Sequence, residues 1–239
     1  MADDNPFDMI ARGQRGNNLL GSAIFIGLRA ADPFLQRQLL LNSPLPALAR
    51  ILGLRPPRPP PTGGLPLAGS GMTPYQTLLW AFSIGSAAKH ILWITVLGNE
   101  PTGPAAAVAI GLFNTTFNTL NTLAFNLAGE NPTFFPPWSV WVGTALYVTG
   151  ILVETVGEIQ RGLFSVVRHA SYLGYTMWRT GYATASGGPV LGAAVAAFFI
   201  STFANRSVPA LDNYMSKKYG EQWARVKRNV PYALIPGVW

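Results

Sequence analysis

Long unbroken apolar runs, rather than alternation, dominate the chain. Five of them occupy residues 75–97, 104–128, 138–157, 163–186 and 189–204. A backbone surrounded by hydrocarbon has to satisfy its own N–H and C=O groups, so runs of this length predict helices rather than strands. Most approach the roughly 20 residues that a helix needs to cross a bilayer. An earlier run, 18–28, falls short of that and reads as a short or tilted span or an interfacial segment. Residues 33–54 mix apolar groups with Arg37 and Arg50 and are amphipathic at best. The stretch RPPRPPPTGG at 55–64 is a connector, because consecutive prolines lack donors and hold the chain extended. The pattern predicts an all-α fold, a polytopic membrane helix bundle of about five to seven spans. Three regions are expected: an amphipathic and Pro-rich one at 1–64, membrane helices at 65–157, and a C-terminal region at 158–239.

Charge sharpens this picture. Only 11% of the 239 residues are charged, against 49% that are hydrophobic, where a soluble domain carries about 25% charge. Seven of the 17 basic residues fall in 1–61 and six in 206–239, while 62–157 holds only Lys89, Glu100, Glu130 and Glu154. That distribution argues against a soluble enzyme, a disordered chain and a nucleic-acid binder, and puts the middle of the chain in lipid. The N-terminus has acids before its arginines, unlike a cleavable signal. With no cysteine and two histidines, thiol chemistry and a metal centre are not expected. The basic tail belongs on the cytoplasmic face. Five crossings would then place Arg50, Arg55 and Arg58 on the far side, so either an earlier segment crosses or one of the five is re-entrant.

Polar residues inside the apolar runs are the candidate sites. Asn114, Asn118 and Asn121 follow an i, i+4, i+7 spacing that puts them within about 60° on one helix face. Such a stripe either binds helices together or lines a cavity for a substrate. Lys89 and His90 sit in mid-segment, as a substrate site or as a snorkelling or ion-paired lysine. Glu154 and Glu158 share a helix face and form a polar patch with Gln160 and Arg161. Arg168, His169 and Arg179 interrupt the fourth run, which therefore faces protein, cofactor or water. Trp80, Trp93, Trp138, Trp141 and Trp178 lie mostly toward segment ends, as interfacial anchors do. Neither possible glycosylation acceptor, 114–116 or 205–207, is expected to be used. No glycine-rich phosphate loop or hydrolase triad spacing occurs.

The C-terminal third also carries a resemblance. Gln160-Arg161 and Leu163-Phe164 lead to Arg168-His169, Tyr172 and Gly174, with Ala170 where the RHPxYxG signature has proline. Gly181-Tyr182-Ala183 with Ala185-Ser186 resembles a GYAxAS stretch, and the chain ends on Lys218-Tyr219-Gly220, Trp223 and Val230-Pro231-Tyr232 through Ile235-Pro236. These pieces resemble the C-terminal domain of steroid 5-alpha-reductases and sterol reductases, with isoprenylcysteine carboxyl methyltransferases as more distant cousins.

The resemblance implies an NADPH-dependent membrane reductase of a conjugated double bond in a sterol-like or terpenoid substrate, in the endoplasmic reticulum. It makes 158–239 a cofactor domain. Glu154, Glu158, Gln160, Arg161, Arg168, His169, Tyr172, Arg206, Lys218, Tyr219, Trp223 and Arg228 would bind the cofactor. Tyr175 and Tyr182 would supply the proton. Two departures point elsewhere. Tyr175 stands where the reductases carry an acid and is closer to the methyltransferase aromatic. The acidic stretch before the tail is reduced to Asp212. The alternatives are therefore an S-adenosylmethionine-dependent methyltransferase and a non-redox isomerase or structural protein. The partners expected in each case are the bilayer and a lipophilic small molecule.

Overall fold

The computed structural model describes residues 16, 18–98, 100–130, 135–160 and 166–239. Among these the chain is helical and contains no strand. It divides into two compact units, Met1–Glu130 and Asn131–Trp239.

In the first unit, α1 (Leu19–Leu41) joins two runs that the sequence pattern kept apart. Asn18 caps it, its Oδ1 accepting the Gly21 N–H at 2.9 Å. The reason for the continuity is a third helix face that carries polar groups inward: Arg29, Asp32 and Gln36 are all fully buried. A short α2 (Leu45–Ile51) and the proline connector follow. A capping box of Thr73 and Gln76, with Pro74 in the first turn, starts α3 (Pro74–Leu92). After a π-helical turn at Trp93–Leu97 the unit closes with α4 (Pro104–Leu127). Both α3 and α4 pack on α1.

The second unit is built on α5 (Trp138–Gln160) and α6 (Ala170–Thr202). Gly188 breaks α6 with a φ of 82°, and Pro189 restarts it. The break is a reversal. Tyr175 and Phe199 have ring centroids 5.2 Å apart, whereas a straight helix would separate them by about 36 Å. The fourth apolar run, from Ala170 onward, and the fifth are thus the two arms of one helical hairpin. Its second arm continues through a π-helical turn at Phe203–Ser207 into α7 (Val208–Tyr219), and α8 (Glu221–Asn229) follows.

Glycines fix how α5 meets α6. A Cβ on Gly143, Gly150, Gly174 or Gly181 would collide with the backbone of the facing helix. These positions pair antiparallel, Gly150 against Trp178 and Gly174 against Glu154. Removing side chains at seven-residue spacing lets the two backbones touch, the means by which helices associate where no hydrophobic force drives them together.

Among the described residues, three helical stretches are long and apolar enough to cross a membrane: Pro74–Leu97, Trp138–Ile159 and Ala170–Tyr219, the last of which is the hairpin and its extension. The helix α4 is not among them, since its asparagines and threonines lower its hydropathy.

Candidate functional site

In the second unit the close approach of α5 and α6 brings chemistry with it. Trp178 Nε1 donates to Glu154 Oε2 at 2.6 Å. The other side of the same indole carries Arg179, whose guanidinium carbon lies 4.3 Å from the ring centroid. Arg179 Nε donates to the Tyr175 hydroxyl at 3.1 Å. Glu154, Trp178 and Arg179 are all buried, so an indole bridges an acid and a base where neither meets solvent. Trp178 is fully buried rather than an interfacial anchor.

Toward the start of α6 the aromatic contacts continue. The Tyr175 ring packs edge-on against Phe199 and Phe203. Tyr172 stacks on Phe203 at 4.6 Å, and His169 stacks on Tyr172 at 5.6 Å. These are residues of the first arm meeting the returning arm, a juxtaposition that exists only because Gly188 turns the chain.

The tail closes this end. Arg168 donates from one terminal nitrogen to Val230 O at 2.8 Å and to Pro231 O at 2.7 Å. The N–H groups of Arg168 and His169 donate to Tyr232 O and Ala233 O. Leu234 is fully buried, and Ala233 before it and Val230 at the start of the segment are also buried. The VPYxxIP ending is therefore a strap whose carbonyls hold the Arg168-His169 segment.

Several buried polar atoms have no hydrogen-bond partner among the described residues: Arg168 Nε and His169 Nε2 ahead of α6, Asp212 Oδ1 on α7 and Trp223 Nε1 on α8. Native interiors leave few such atoms, and donors left over in this way suit a polar ligand. Burial lowers the pKa of His169, although Asp212 at 3.6 Å pulls it upward and Arg168 pushes it down.

The remaining expected residues are dispersed. Arg206, Lys218, Tyr219 and Arg228 are exposed, and Lys218 Nζ donates to the Tyr214 hydroxyl on its own helix. Tyr182 is fully buried against Tyr147, with ring centroids 6.0 Å apart. Glu158 lies one turn beyond Glu154 and is half-buried. Gln160 ends α5, while Arg161, Leu163 and Phe164 lie outside the described residues.

Lys89, His90, Asn114, Asn118 and Asn121 are all buried in the first unit. Asn118 Nδ2 donates to Asp32 Oδ2 at 2.6 Å and to Ser86 Oγ at 3.2 Å. Arg29 pairs with Asp32 at 3.4 Å and donates to Ser86 and Thr115. Gln36 donates to Asp32 and Thr119 and accepts from Thr122. Asn114 bonds within its own helix to Ile110 O, and His90 meets Phe25 edge-on. Asn118 thus ties α4 to α1 and α3. The sequence pattern did not single out Arg29, Asp32 or Gln36, although their spacing, i, i+3, i+7, marks one helix face.

No family model matches the chain. It is 32% identical to a probable O-methyltransferase, ustE, of Ustilaginoidea virens, over 92% of this chain and 89% of the relative. The chain belongs to this O-methyltransferase family. Membership corrects the expectation of a reductase: alkene reduction, NADPH, and placement among steroid 5-alpha-reductases or sterol reductases are overturned. The proton-donor roles of Tyr175 and Tyr182 fall with that reaction, and an endoplasmic-reticulum location loses its support.

The structure shows why the resemblance misled. The stretch Gly181 to Ser186 is wholly buried where α6 approaches α5, so its small residues answer a packing demand. The VPYxxIP ending answers another, the strap on Arg168. Neither motif reports which cofactor chemistry the protein performs.

Proposed function

We propose that the protein is an integral membrane O-methyltransferase that uses S-adenosylmethionine and acts on a lipophilic acceptor. The observation that carries this reading is the 32% identity to the ustE O-methyltransferase along nearly the whole chain. Three membrane-length apolar stretches support the membrane part, and an oil-soluble acceptor suits it.

The residues at the α6 start fit the methyl donor. Arg168 Nε, and Trp223 Nε1 on α8, are buried donors without partners among the described residues, suited to the carboxylate and the ribose or adenine acceptors of S-adenosylmethionine. Tyr172 offers an aromatic face for a cation or a base. When bound, the cofactor supplies an electrophilic methyl group on a sulfonium. The chain's own contribution is positional. The strap from Val230 to Ala233 fixes Arg168 and His169, and the Glu154–Trp178–Arg179 bridge holds the first arm of α6 rigidly against α5. The aromatic layer of Tyr172, Tyr175, Phe199 and Phe203 keeps water away from this end.

Titration calorimetry on the detergent-solubilised protein tests the reading. Saturable binding of S-adenosylmethionine and of S-adenosylhomocysteine is expected. Trp223→Phe, which keeps an aromatic ring but loses the N–H, should weaken it by up to roughly tenfold, the upper value for a hydrogen bond between uncharged groups. Absence of binding to the unaltered protein refutes the assignment.

A further inference from the structure

Within the methyl-donor site read above, one pair of groups stands apart from the two donors assigned to the cofactor. His169 Nε2 and Asp212 Oδ1 face each other at 3.6 Å. Both atoms are buried, and neither has a hydrogen-bond partner among the described residues. The histidine is held in place: its backbone N–H donates to Ala233 O, and its ring stacks on Tyr172. Two charges act on it, Asp212 from α7 and Arg168 from the preceding position. The Arg168 guanidinium is drawn away to the carbonyls of Val230 and Pro231. Burial outweighs the pull of Asp212, so the imidazole is neutral and able to accept a proton at neutral pH.

Oxygen acceptors divide by whether they need such a group. A carboxylic acid, with a pKa of about 4, is already ionised at neutral pH, whereas a phenol, near 10, is not. A neutral imidazole backed by a carboxylate serves only the second. We propose that His169 is the general base of methyl transfer, that Asp212 positions it, and that the acceptor is a phenolic hydroxyl rather than a carboxylate. The acceptor O–H bond breaks and its proton passes to the imidazole. The freed electron pair on oxygen forms the O–CH3 bond as the methyl–sulfur bond breaks. Its electrons stay on sulfur, and the donor departs as a neutral thioether. Asp212 stabilises the imidazolium until water takes the proton. One proton is released per turnover, where a carboxylate acceptor would release none.

Two measurements on the full chain in lipid nanodiscs test this, and both rest on the methyltransferase reading only where methyl transfer is followed. The first is imidazole NMR, with His90→Gln leaving the His169 signal alone. A ring neutral at pH 7, titrating still lower in Asp212→Asn, is expected. A ring protonated at pH 7, or indifferent to Asp212→Asn, overturns the proposal. The second offers S-adenosylmethionine with 2-naphthol or 2-naphthoic acid, following products and proton release. Methyl ether with one proton per turnover supports the proposal, and methyl ester overturns it. If neither probe is methylated, the NMR result decides. His169→Gln should cut turnover by roughly 10²–10⁴-fold while leaving S-adenosylmethionine affinity in place. A parallel loss of affinity would make His169 a cofactor ligand and sink the idea. Failure of the unaltered protein to bind S-adenosylmethionine removes the family reading instead, leaving the NMR outcome to stand separately.

Discussion

Single titratable residues in both units lie where water does not reach, and the consequences differ. In the first unit Asp32 is the carboxylate beside the buried guanidinium of Arg29 and also accepts from Asn118 and Gln36. Asp32→Ala removes that carboxylate from a buried cation and is expected to cost about 3–5 kcal/mol. The double change Arg29→Met with Asp32→Leu should recover most of it, because burying neither charge avoids the desolvation cost. Unfolding in mixed detergent, followed by tryptophan fluorescence, measures both. In the second unit the lowered pKa of His169 sets a pH dependence. A histidine whose folded pKa lies below its ordinary value of 6.5 supports the fold above that pH. The contribution fades as pH drops through 6.5 towards the folded value, since the unfolded chain then binds the proton more readily. The unfolding midpoint should therefore fall between pH 7 and 5, and His169→Gln should flatten that fall.

Elements are joined here by the absence of side chains as much as by their presence. Gly150 and Gly174 face backbone of the opposite helix, which cannot step aside as a flexible side chain would. Gly150→Ala and Gly174→Ala should each destabilise by about 1–3 kcal/mol or more, the cost of overpacking. Gly27→Ala on α1 has nothing within 4 Å of the added methyl and should stabilise by up to about 1 kcal/mol through helix propensity. The same unfolding assay ranks all three. Helices were legible in the sequence because apolar runs are long, and the Gly188-Pro189 break was visible as the gap between two runs. The pairing of α5 with α6 was not. Glycine at 143, 150, 174 and 181 reads as weak helix sequence, and only a facing backbone gives it meaning. For the same reason α1 looked like two fragments: Arg29, Asp32 and Gln36 interrupt hydrophobicity, yet α3 and α4 supply their partners from more than 50 residues away.

At the scale of the whole chain, the sequence named candidate site residues but misread the reaction. Motif spacing singled out Arg168, His169, Tyr172 and Trp223, and among the described residues polar atoms on three of them have no hydrogen-bond partner. Their neighbours misdirected the chemistry, because packing motifs recur wherever helices touch closely, whatever the cofactor. Tyr175, closer to the methyltransferase pattern, carried the better signal, and it joins Arg179 and the aromatic layer. Charge gives the chain a direction as well. Of the residues from 206 onward six are basic and two acidic, and one of those acids, Asp212, is committed to His169. Cytoplasmic segments beside a membrane span carry such an excess. The end of α7 and all of α8 should therefore face the cytoplasm, at the foot of the second hairpin arm. Asn205-Arg206-Ser207 tests this, because Asn205 and Arg206 are exposed and the sequence matches an acceptor for glycosylation. On the cytoplasmic side the glycosylation machinery does not reach it. Expressed in a glycosylating host, the protein should show no mobility shift on glycosidase treatment unless an acceptor is engineered on the opposite side, into the turn around Gly188. A glycan at Asn205 would invert the topology and place the His169 end on the lumenal face.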